Sequence, residues 1–482
     1  MFLRKTRTLI KLMVALFATI SLPKAQADEI RYNVSLDPVF TQFGGGNLPN
    51  YPEDLAYKHN VRVSTKVSQD NGIRGPYSYT TAFREDNNPF TFIFDSGKGY
   101  DSALSVSSAN YARLDREGND IGYNRKYKKV VFTDYGSSTV KVLPSPPGTI
   151  ILPDNQPHWP FLALYAGRPI STSEYTYTVQ TTLGLYQYSY ANKKWYKVDN
   201  AGSQTFSVSD SGYIAGKDSG LKAQATVWYY GKKQHFAGLT GPSKALSVNE
   251  RGTVVGYANY MGIGPNEYQA WIGKYGSTDT MSIPGMDIPV SINNSGQVIG
   301  LQYVSNGQNL ATSYEGVLYE QLTGKTVYLK DLFSATGITN VIATALNDKG
   351  VIAFYAMKDG QPISGELLPA VRIDNYWVPD NCGIGSGTPY GYIEPFQLHA
   401  SDESTGQALP LSDYLGFWYV DGDFAHLHSM QDYYGDGTYK MDSVDLWGWN
   451  WRTNDTYYVT YVAADLTGKV LNVDTHRIYV HH

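Results

Sequence analysis

The sequence has almost no cysteine, little charge and no sustained helical pattern. A single Cys382 in 482 residues excludes an intrachain disulfide, so stability has to come from packing. The thiol reads as a small buried apolar residue rather than a nucleophile. Charged residues make up only 17% of the chain, and no long Leu/Ala/Glu/Lys run with a 3.6-residue period follows the N-terminal segment. Helical solenoids are thereby excluded. There is also no Gly-x-Ser-x-Gly elbow, no His-Glu-x-x-His pair and no phosphate-binding loop, which removes the commonest hydrolase, metallopeptidase and nucleotide-binding signatures.

What is abundant points the other way. The 41 Tyr, 47 Gly and 23 Pro suit many short strands joined by tight turns. The chain reads as almost entirely β.

Residues 1–27 read as a signal peptide. Arg4, Lys5, Arg7 and Lys11 precede an apolar stretch over residues 12–22, and Ala25, Gln26 and Ala27 supply a small-residue cleavage site. That apolar run is short for a bilayer span, and no cysteine follows the cleavage site to carry a bacterial lipid anchor. Export to a periplasm, cell surface or beyond is expected, with no transmembrane span in the mature chain. Removing the segment leaves 34 of the 39 basic residues against 44 acidic ones, a formal charge of −10. Such a balance argues against nucleic acid as the partner. The local basic group Arg125, Lys126, Lys128 and Lys129 reads as a solvated strand face.

The chain is organised around a repeated phrase. Residues 248–257 (VNERGTVVGY) read as a strand end, a turn closing at Gly252 and a second strand. Residues 208–216 (VSDSGYIAG), 292–300 (INNSGQVIG) and 114–123 (LDREGNDIGY) repeat it, and 346–355 (LNDKGVIAFY) does so with Phe354 in place of the second glycine. Residues 67–72 and a stretch near Pro160 read as worn copies. Turns are then placed at 72, 118, about 160, 212, 252, 296 and 350, a mean spacing near 46 residues. One unit reads as four strands: 243–248, 253–258, 268–272 and 278–283. Four-stranded meanders at this period are the blades of a β-propeller. Six to eight blades fit, with seven as the single expectation. The expected organisation is a signal peptide over 1–27, the repeat-built propeller over 28–369, and a C-terminal β region over 370–482 that is either a closing blade or a small domain.

The phrase N-x-x-G-x-V-x-G-Y, followed by a short Ala-aromatic strand such as Gln269-Ala270-Trp271 or Thr81-Ala82-Phe83, resembles the HAF-type extracellular repeats of bacterial exported proteins. The resemblance covers roughly residues 65–365. It implies a propeller-like fold and brings no catalytic residues with it.

Three groups could carry chemistry. Asp432, Asp436 and Asp442, with Gly437 between them, partly fit a calcium loop. Tyr434 and Ser443 stand where that loop would want ligands, and a plain hairpin turned by Gly435, Asp436 and Gly437 accounts for the same residues. His426 and His428 would share one face of a strand, which permits a metal but is more often simple packing. Trp447, Trp449 and Trp451 also share one face if extended, and would form either a core stripe or a platform for a carbohydrate or protein ligand. Asp210-Ser211-Gly212 invites comparison with the Asp-box turns of sialidase-like propellers, but Val208 and Ala215 occupy the places of the required Ser and aromatic. The reading is therefore an exported, non-catalytic binding module. A glycan-acting hydrolase with its site at the propeller axis is the alternative.

The tryptophan stripe separates two outcomes. In a core, Trp449→Ala should lower stability by about 3–5 kcal/mol. On a platform it should abolish ligand binding and leave the melting temperature unchanged, so calorimetry of this one variant decides between them.

Overall fold

The computed structural model describes residues 31–36, the strand backbones between 50 and 142, residues 143–151, and 170–375 apart from short breaks. It further describes the strand backbones between 381 and 445, and residues 455–481 apart from 467–468. Apart from a single 3-10 turn at Leu329–Asp331, the regular structure among these residues is strand. Seven four-stranded antiparallel sheets follow one another along the chain. They cover residues 50–95, 109–142, 170–199, 204–235, 243–282 and 288–328. The seventh covers 338–369 together with Tyr32–Leu36. Each sheet packs on the next, and the seventh packs back on the first, so the sheets form a closed ring. The chain is a seven-bladed β-propeller.

The fifth blade shows how the local sequence builds the unit. Its strands are Ser243–Val248, Thr253–Ala258, Gln269–Lys274 and Thr280–Ser282, innermost first. Gly252 closes the first turn at φ +70°, where an added Cβ would lie 2.9 Å from the Tyr213 ring of the preceding blade. The second glycine of the phrase has a different task. A Cβ on Gly256 would lie 2.0 Å from the Lys244 carbonyl oxygen and 2.6 Å from the Trp271 ring, so the inner strand and the indole both press on bare backbone. Gly216 repeats this against the Gln204 carbonyl and Trp228.

The close approach accompanies a repeated β-bulge. The inner strands skip one register position at Phe206, Leu246, Val290 and Thr344, each six residues before its turn glycine. Bulges of this kind increase local twist and re-aim a side chain. In the seventh blade, Phe354 replaces the second glycine. There the inner strand carries a further irregularity between Thr339 and Ile342, with Asn340 at φ +53°. The Phe354 ring lies over Gly365, its partner on the third strand, at 3.2 Å from where a Cβ would stand.

Two worn copies of the phrase are placed differently from the sequence expectation. Val67 and Ser68, which open the first of these, end the second strand of the first blade (Arg62–Ser68) rather than its inner strand Asn50–Leu55. In the third blade the inner strand is Ile170–Thr172 and the second is Thr176–Thr181, so its inner turn lies at 173–175 rather than near Pro160. A lone glycine marks any hairpin turn; the inner one is marked by a glycine three residues after Asn, Ser or Asp.

Closure comes from the other end of the chain. Tyr32–Leu36 is the outer strand of the seventh blade, pairing from Tyr32 with Pro369 to Leu36 with Gly365. Arg31 and Tyr32 both donate their backbone N–H to the Leu332 carbonyl, and Arg31 Nη1 meets Glu320 Oε1 of the sixth blade at 2.6 Å. Apolar cores sit between adjacent blades. Val255, Ala270 and Ile272 of the fifth pack with Ile292, Val298 and Val317 of the sixth. Ile121, Val130 and Phe132 of the second pack with Tyr177, Val179 and Tyr188 of the third.

Beyond Pro369, a further four-stranded sheet is ordered Asn381–Gly383, Val470–His481, Asp455–Asp465, Tyr414–Val420. Its two long strands form a hairpin running from Asp455 opposite Val480 to Ala464 opposite Val470.

The two glycine roles are separable by mutation. Gly256→Ala forces a Cβ into a carbonyl oxygen and should lower stability by about 1–3 kcal/mol or more, as overpacked core sites do. Gly231→Ala, in a turn where nothing lies within 4 Å, meets only the backbone strain of φ +73°. Chemical denaturation should rank Gly256→Ala clearly lower; equal midpoints would contradict the close approach.

Candidate functional site

The inner turns of the fifth, sixth and seventh blades are joined by a chain of hydrogen bonds at one end of the propeller axis. Asn249 Oδ1 accepts from the Arg251 and Thr253 N–H groups, 3.0 and 2.9 Å, which staples its own turn. Its Nδ2 donates to the Asn293 carbonyl of the next blade at 3.0 Å. Asn293 repeats both halves, accepting from Ser295 and Gln297 and donating to the Asn347 carbonyl at 3.0 Å. Asn347 staples its turn through Lys349 and Val351. The following residue of each turn adds a second tier. Asn294 Nδ2 donates to Glu250 Oε1 (3.1 Å) and to Asp348 Oδ2 (3.0 Å). The Glu250 N–H donates to Asn294 Oδ1, and the Asn294 N–H to Asp348 Oδ1. The carboxylates at this end of the axis therefore join one blade to the next.

The C-terminal hairpin lies across these turns. Arg477 Nε meets Glu250 Oε2 at 3.2 Å, and its guanidinium also reaches the Tyr175 ring of the third blade's inner turn. Tyr458 donates its hydroxyl to the Glu250 carbonyl at 2.8 Å and lies under the Arg251 guanidinium, 4.8 Å from ring centroid. Arg251 donates to Thr460 Oγ1 at 3.1 Å. Asn472 donates to the Val371 carbonyl and stands beside Gly350 of the seventh blade. Val462, Val470 and Val473 pack on Leu322 of the sixth. Burial, then the neighbouring Glu250 charge, raises the Tyr458 phenol above its ordinary range, so it remains a neutral hydrogen-bond donor.

The opposite end of the axis, where the inner strands begin, has another character. Residues eight before and five after each turn glycine form one rung: Gln204 with Lys217, Lys244 with Tyr257, Ile288 with Leu301, and Ile342 with Tyr355. Two adjacent blades thus place lysines where the next places buried Ile288 and Leu301. Lys244 Nζ sits 5.6 Å from the Phe206 centroid and 5.7 Å from that of Tyr257, within cation–π range. Burial, and secondly the charge of Lys217, bring the Lys244 ammonium down to about 8. Burial also lowers Lys217, with Asp218 opposing. Asp218 itself is turned towards Lys233 and His235, at 3.6 and 3.2 Å.

Tyrosines surround this end. Tyr257 meets Tyr268 edge-on with centroids 5.4 Å apart, and Tyr303 meets Tyr314 at 5.5 Å. Asp287 accepts the Tyr303 N–H at 2.6 Å, and burial raises its carboxyl above the usual range against that bond. Burial pushes up the Tyr314 phenol, with Tyr268, Asp287 and Tyr303 adding to the rise.

Trp447, Trp449, Trp451, Asp436 and Asp442 lie outside the described residues. Asp432 is on the short strand Gln431–Asp432, paired with Tyr439–Lys440 as a hairpin, and its side chain is likewise outside. Among the described residues no group of three or more His, Cys, Asp or Glu side chains could hold a metal ion, and no helix is long and apolar enough to cross a membrane. Lys217, Lys244 and Asp287 were not singled out by the sequence reading. Aligning the repeats on their turn glycines carries the signal for the lysines, because it sets Lys244 beside Ile288 and Ile342 in one column and Lys217 beside Tyr257, Leu301 and Tyr355 in another.

No protein-family profile matches this chain, and no curated protein matches its sequence. Among solved structures it is similar to the β-propeller domain of the trilobed protease from Pyrococcus furiosus, at 9% identity and TM-score 0.40, over 66% of this chain and 95% of that one. It is similar to virginiamycin B lyase from Staphylococcus aureus at 10% identity and TM-score 0.43, over 70% and 99%. PorZ, a bacterial surface component of the type-IX secretion system of Porphyromonas gingivalis, is similar at 11% identity and TM-score 0.39, over 92% of this chain and 61% of that one. Likenesses at this level say nothing of activity; the propeller assignment stands on the sheet order and the closed ring.

The Glu250–Arg477 contact should anchor the hairpin. Glu250 is only 5% exposed, so Arg477→Met leaves its carboxylate buried without that guanidinium and should lower stability by about 3–5 kcal/mol. Adding Glu250→Gln should recover part of the loss, giving a clear coupling in a double-mutant cycle. Additive losses would show that the two groups do not act together.

Proposed function

We propose that the chain is an exported, non-catalytic binding module, built from HAF-type repeats, that takes its ligand at the axial end opposite the inner-turn ring. The observation that carries this reading is the contrast between the two ends. At the turn end, Glu250, Asn294, Asp348 and Arg477 are engaged in holding blades and hairpin together. At the other end, Lys217, Lys244 and Asp287 stand among Tyr257, Tyr268, Tyr303 and Tyr314 on the first residues of the inner strands and their neighbours. A few polar groups within an aromatic surround are the ordinary make-up of a ligand site. The basic start, apolar stretch and Ala25-Gln26-Ala27 of the N-terminal segment support export.

One observation favours the hydrolase alternative. Burial raises the Asp287 carboxyl, as a general acid requires. Glycoside hydrolysis needs a second carboxylate about 5–10 Å away, whereas the groups that adjoin Asp287 through Tyr314 are tyrosines.

Expression of the whole chain in a bacterial host, followed by N-terminal sequencing of the exported fraction, should give a mature protein beginning at Asp28. Intact Met1 with retention in the cytoplasm would overturn export. On a glycan array the mature protein should retain ligand without consuming it. Turnover of chromogenic glycosides that disappears in Asp287→Asn would replace the binding reading with the hydrolase.

A further inference from the structure

We propose that the rim of the second and third blades, at the end opposite the inner turns, is a docking surface for an anionic lipid bilayer. Val142, Ile151 and Leu183 enter the headgroup region, and Lys129, Lys194 and Lys197 meet the lipid phosphates. The inference is independent of the ligand taken at the axis. It starts from an uneven charge. The mature chain has a formal charge of −10, yet residues 121–198 hold nine Lys or Arg against three Asp or Glu. One sector therefore attracts anions on a protein that as a whole repels them.

Short contacts join this sector into one surface. Lys129 Nζ donates to Ser145 Oγ at 3.2 Å, in the segment that leaves the second blade's outer strand at Val142. Trp195 Nε1 donates to the Pro144 carbonyl at 3.3 Å, which brings in the third blade's outer strand with Lys194 and Lys197. The segment then follows the hairpin tip at Thr182 and Leu183. The Thr149 N–H donates to Thr182 Oγ1 at 3.2 Å and the Ile151 N–H to the Gln180 carbonyl at 3.0 Å. A Cβ on Gly148 would lie 2.9 Å from Leu183 Cγ, and one on Gly184 would lie 3.1 Å from Lys197 Cε. All six side chains of the surface are exposed, Ile151 at 39% and Leu183 at 54%. Among the described residues no carboxylate is paired with Lys194 or Lys197.

Three of the five exposed Val, Ile and Leu side chains among the described residues lie here, so the rim is apolar and basic at once. Leu183 sits at the tip of a two-residue hairpin that Thr181 Oγ1 closes by accepting the Leu183 N–H at 3.2 Å. Such tips ordinarily carry Gly, Asn or Asp, and nothing in the turn calls for leucine. Guarding a strand edge does not account for the lysines either. The outer strands Thr280–Ser282 and Tyr32–Leu36 are edges of the same kind and carry no charge. Projecting aliphatic tips flanked by ammonium groups suit a deformable interface that takes up apolar atoms below a plane of phosphates. A soluble acidic glycan would satisfy the lysines and leave the aliphatic side chains in water.

Vesicle flotation of the mature full-length chain tests this surface. Vesicles of equal parts phosphatidylglycerol and phosphatidylcholine should carry the protein, and vesicles of phosphatidylcholine alone should not. Each lysine near the phosphates is worth about fivefold in partitioning, so Lys194→Gln with Lys197→Gln should weaken binding about 25-fold. Leu183→Ser should weaken it at least about fivefold, because it removes a buried aliphatic group from the bound state. Melting temperatures should not change, since these side chains are exposed. Lys325→Gln, on the outer strand of the sixth blade, should leave binding as it is. Equal binding to both kinds of vesicle, or unchanged binding in the double lysine variant, would overturn the proposal. An equal loss in Lys325→Gln would overturn it too, by showing that overall charge and not this rim is read. Dextran sulfate bound as tightly as the vesicles, with vesicle binding indifferent to Leu183→Ser, would replace the bilayer with a soluble polyanion.

Discussion

From the fifth to the seventh blade the structure depends on one asparagine used twice. At the head of an inner turn, the side-chain carbonyl of Asn249 or Asn293 gathers two N–H groups of its own turn, and the amide N–H₂ reaches the next blade's backbone. Neither contact alone would specify a ring. The first shapes a hairpin, and the second fixes where the neighbouring hairpin must stand. Because the groups are buried, each amide left without its partner would carry the full desolvation penalty, which makes the arrangement all-or-none. A four-stranded blade has two apolar faces and cannot bury them alone. From the fifth blade to the seventh, the asparagine ladder sets the blades at the spacing at which those faces meet.

A second constraint follows from bringing inner strands together around an axis. The bulges at Phe206, Leu246 and Val290 tighten the twist of each inner strand and turn that side chain out of the ladder's alternation. The strand opposite must then approach without a Cβ, which is why Gly216, Gly256 and Gly300 stand there. Trp228 and Trp271 press on two of those glycines, so the small residue and the large one are parts of a single contact. The seventh blade solves the same problem by moving the gap, with Phe354 over Gly365 and an added irregularity near Asn340.

These constraints divide the axis into two unlike ends. The turn end is polar and enclosed by contacts: Arg477, Tyr458 and Asn472 tie the C-terminal hairpin to turns from the third blade to the seventh. Charge there serves attachment. At the other end the inner strands begin, no turn ladder has to be satisfied, and Lys217 and Lys244 stand where the sixth blade has Leu301 and Ile288. The two ends therefore differ in what their charged groups contact.

The sequence by itself determined the β class, the four-strand unit and the turn glycines at 212, 252, 296 and 350, and it bounded the blade count at six to eight. These are written in short-range pattern: alternation along a strand, and positive φ at a glycine three residues after an asparagine. The fifth blade's strands fall within a few residues of their sequence-derived limits for that reason. Where the full phrase is missing, as in the first and third blades, the pattern attached the wrong hairpin to the inner position, because a lone glycine turn has no local feature that says which strands it joins. Tertiary structure alone decided the rest. It brought Tyr32–Leu36 onto the seventh blade, laid the hairpin ending at His481 across turns two hundred residues earlier, and set Lys244 of the fifth blade over the Phe206 ring of the fourth. Each of these is a contact between segments with no shared periodicity, so nothing in the spacing of residues encodes it; only closing the ring puts the groups together.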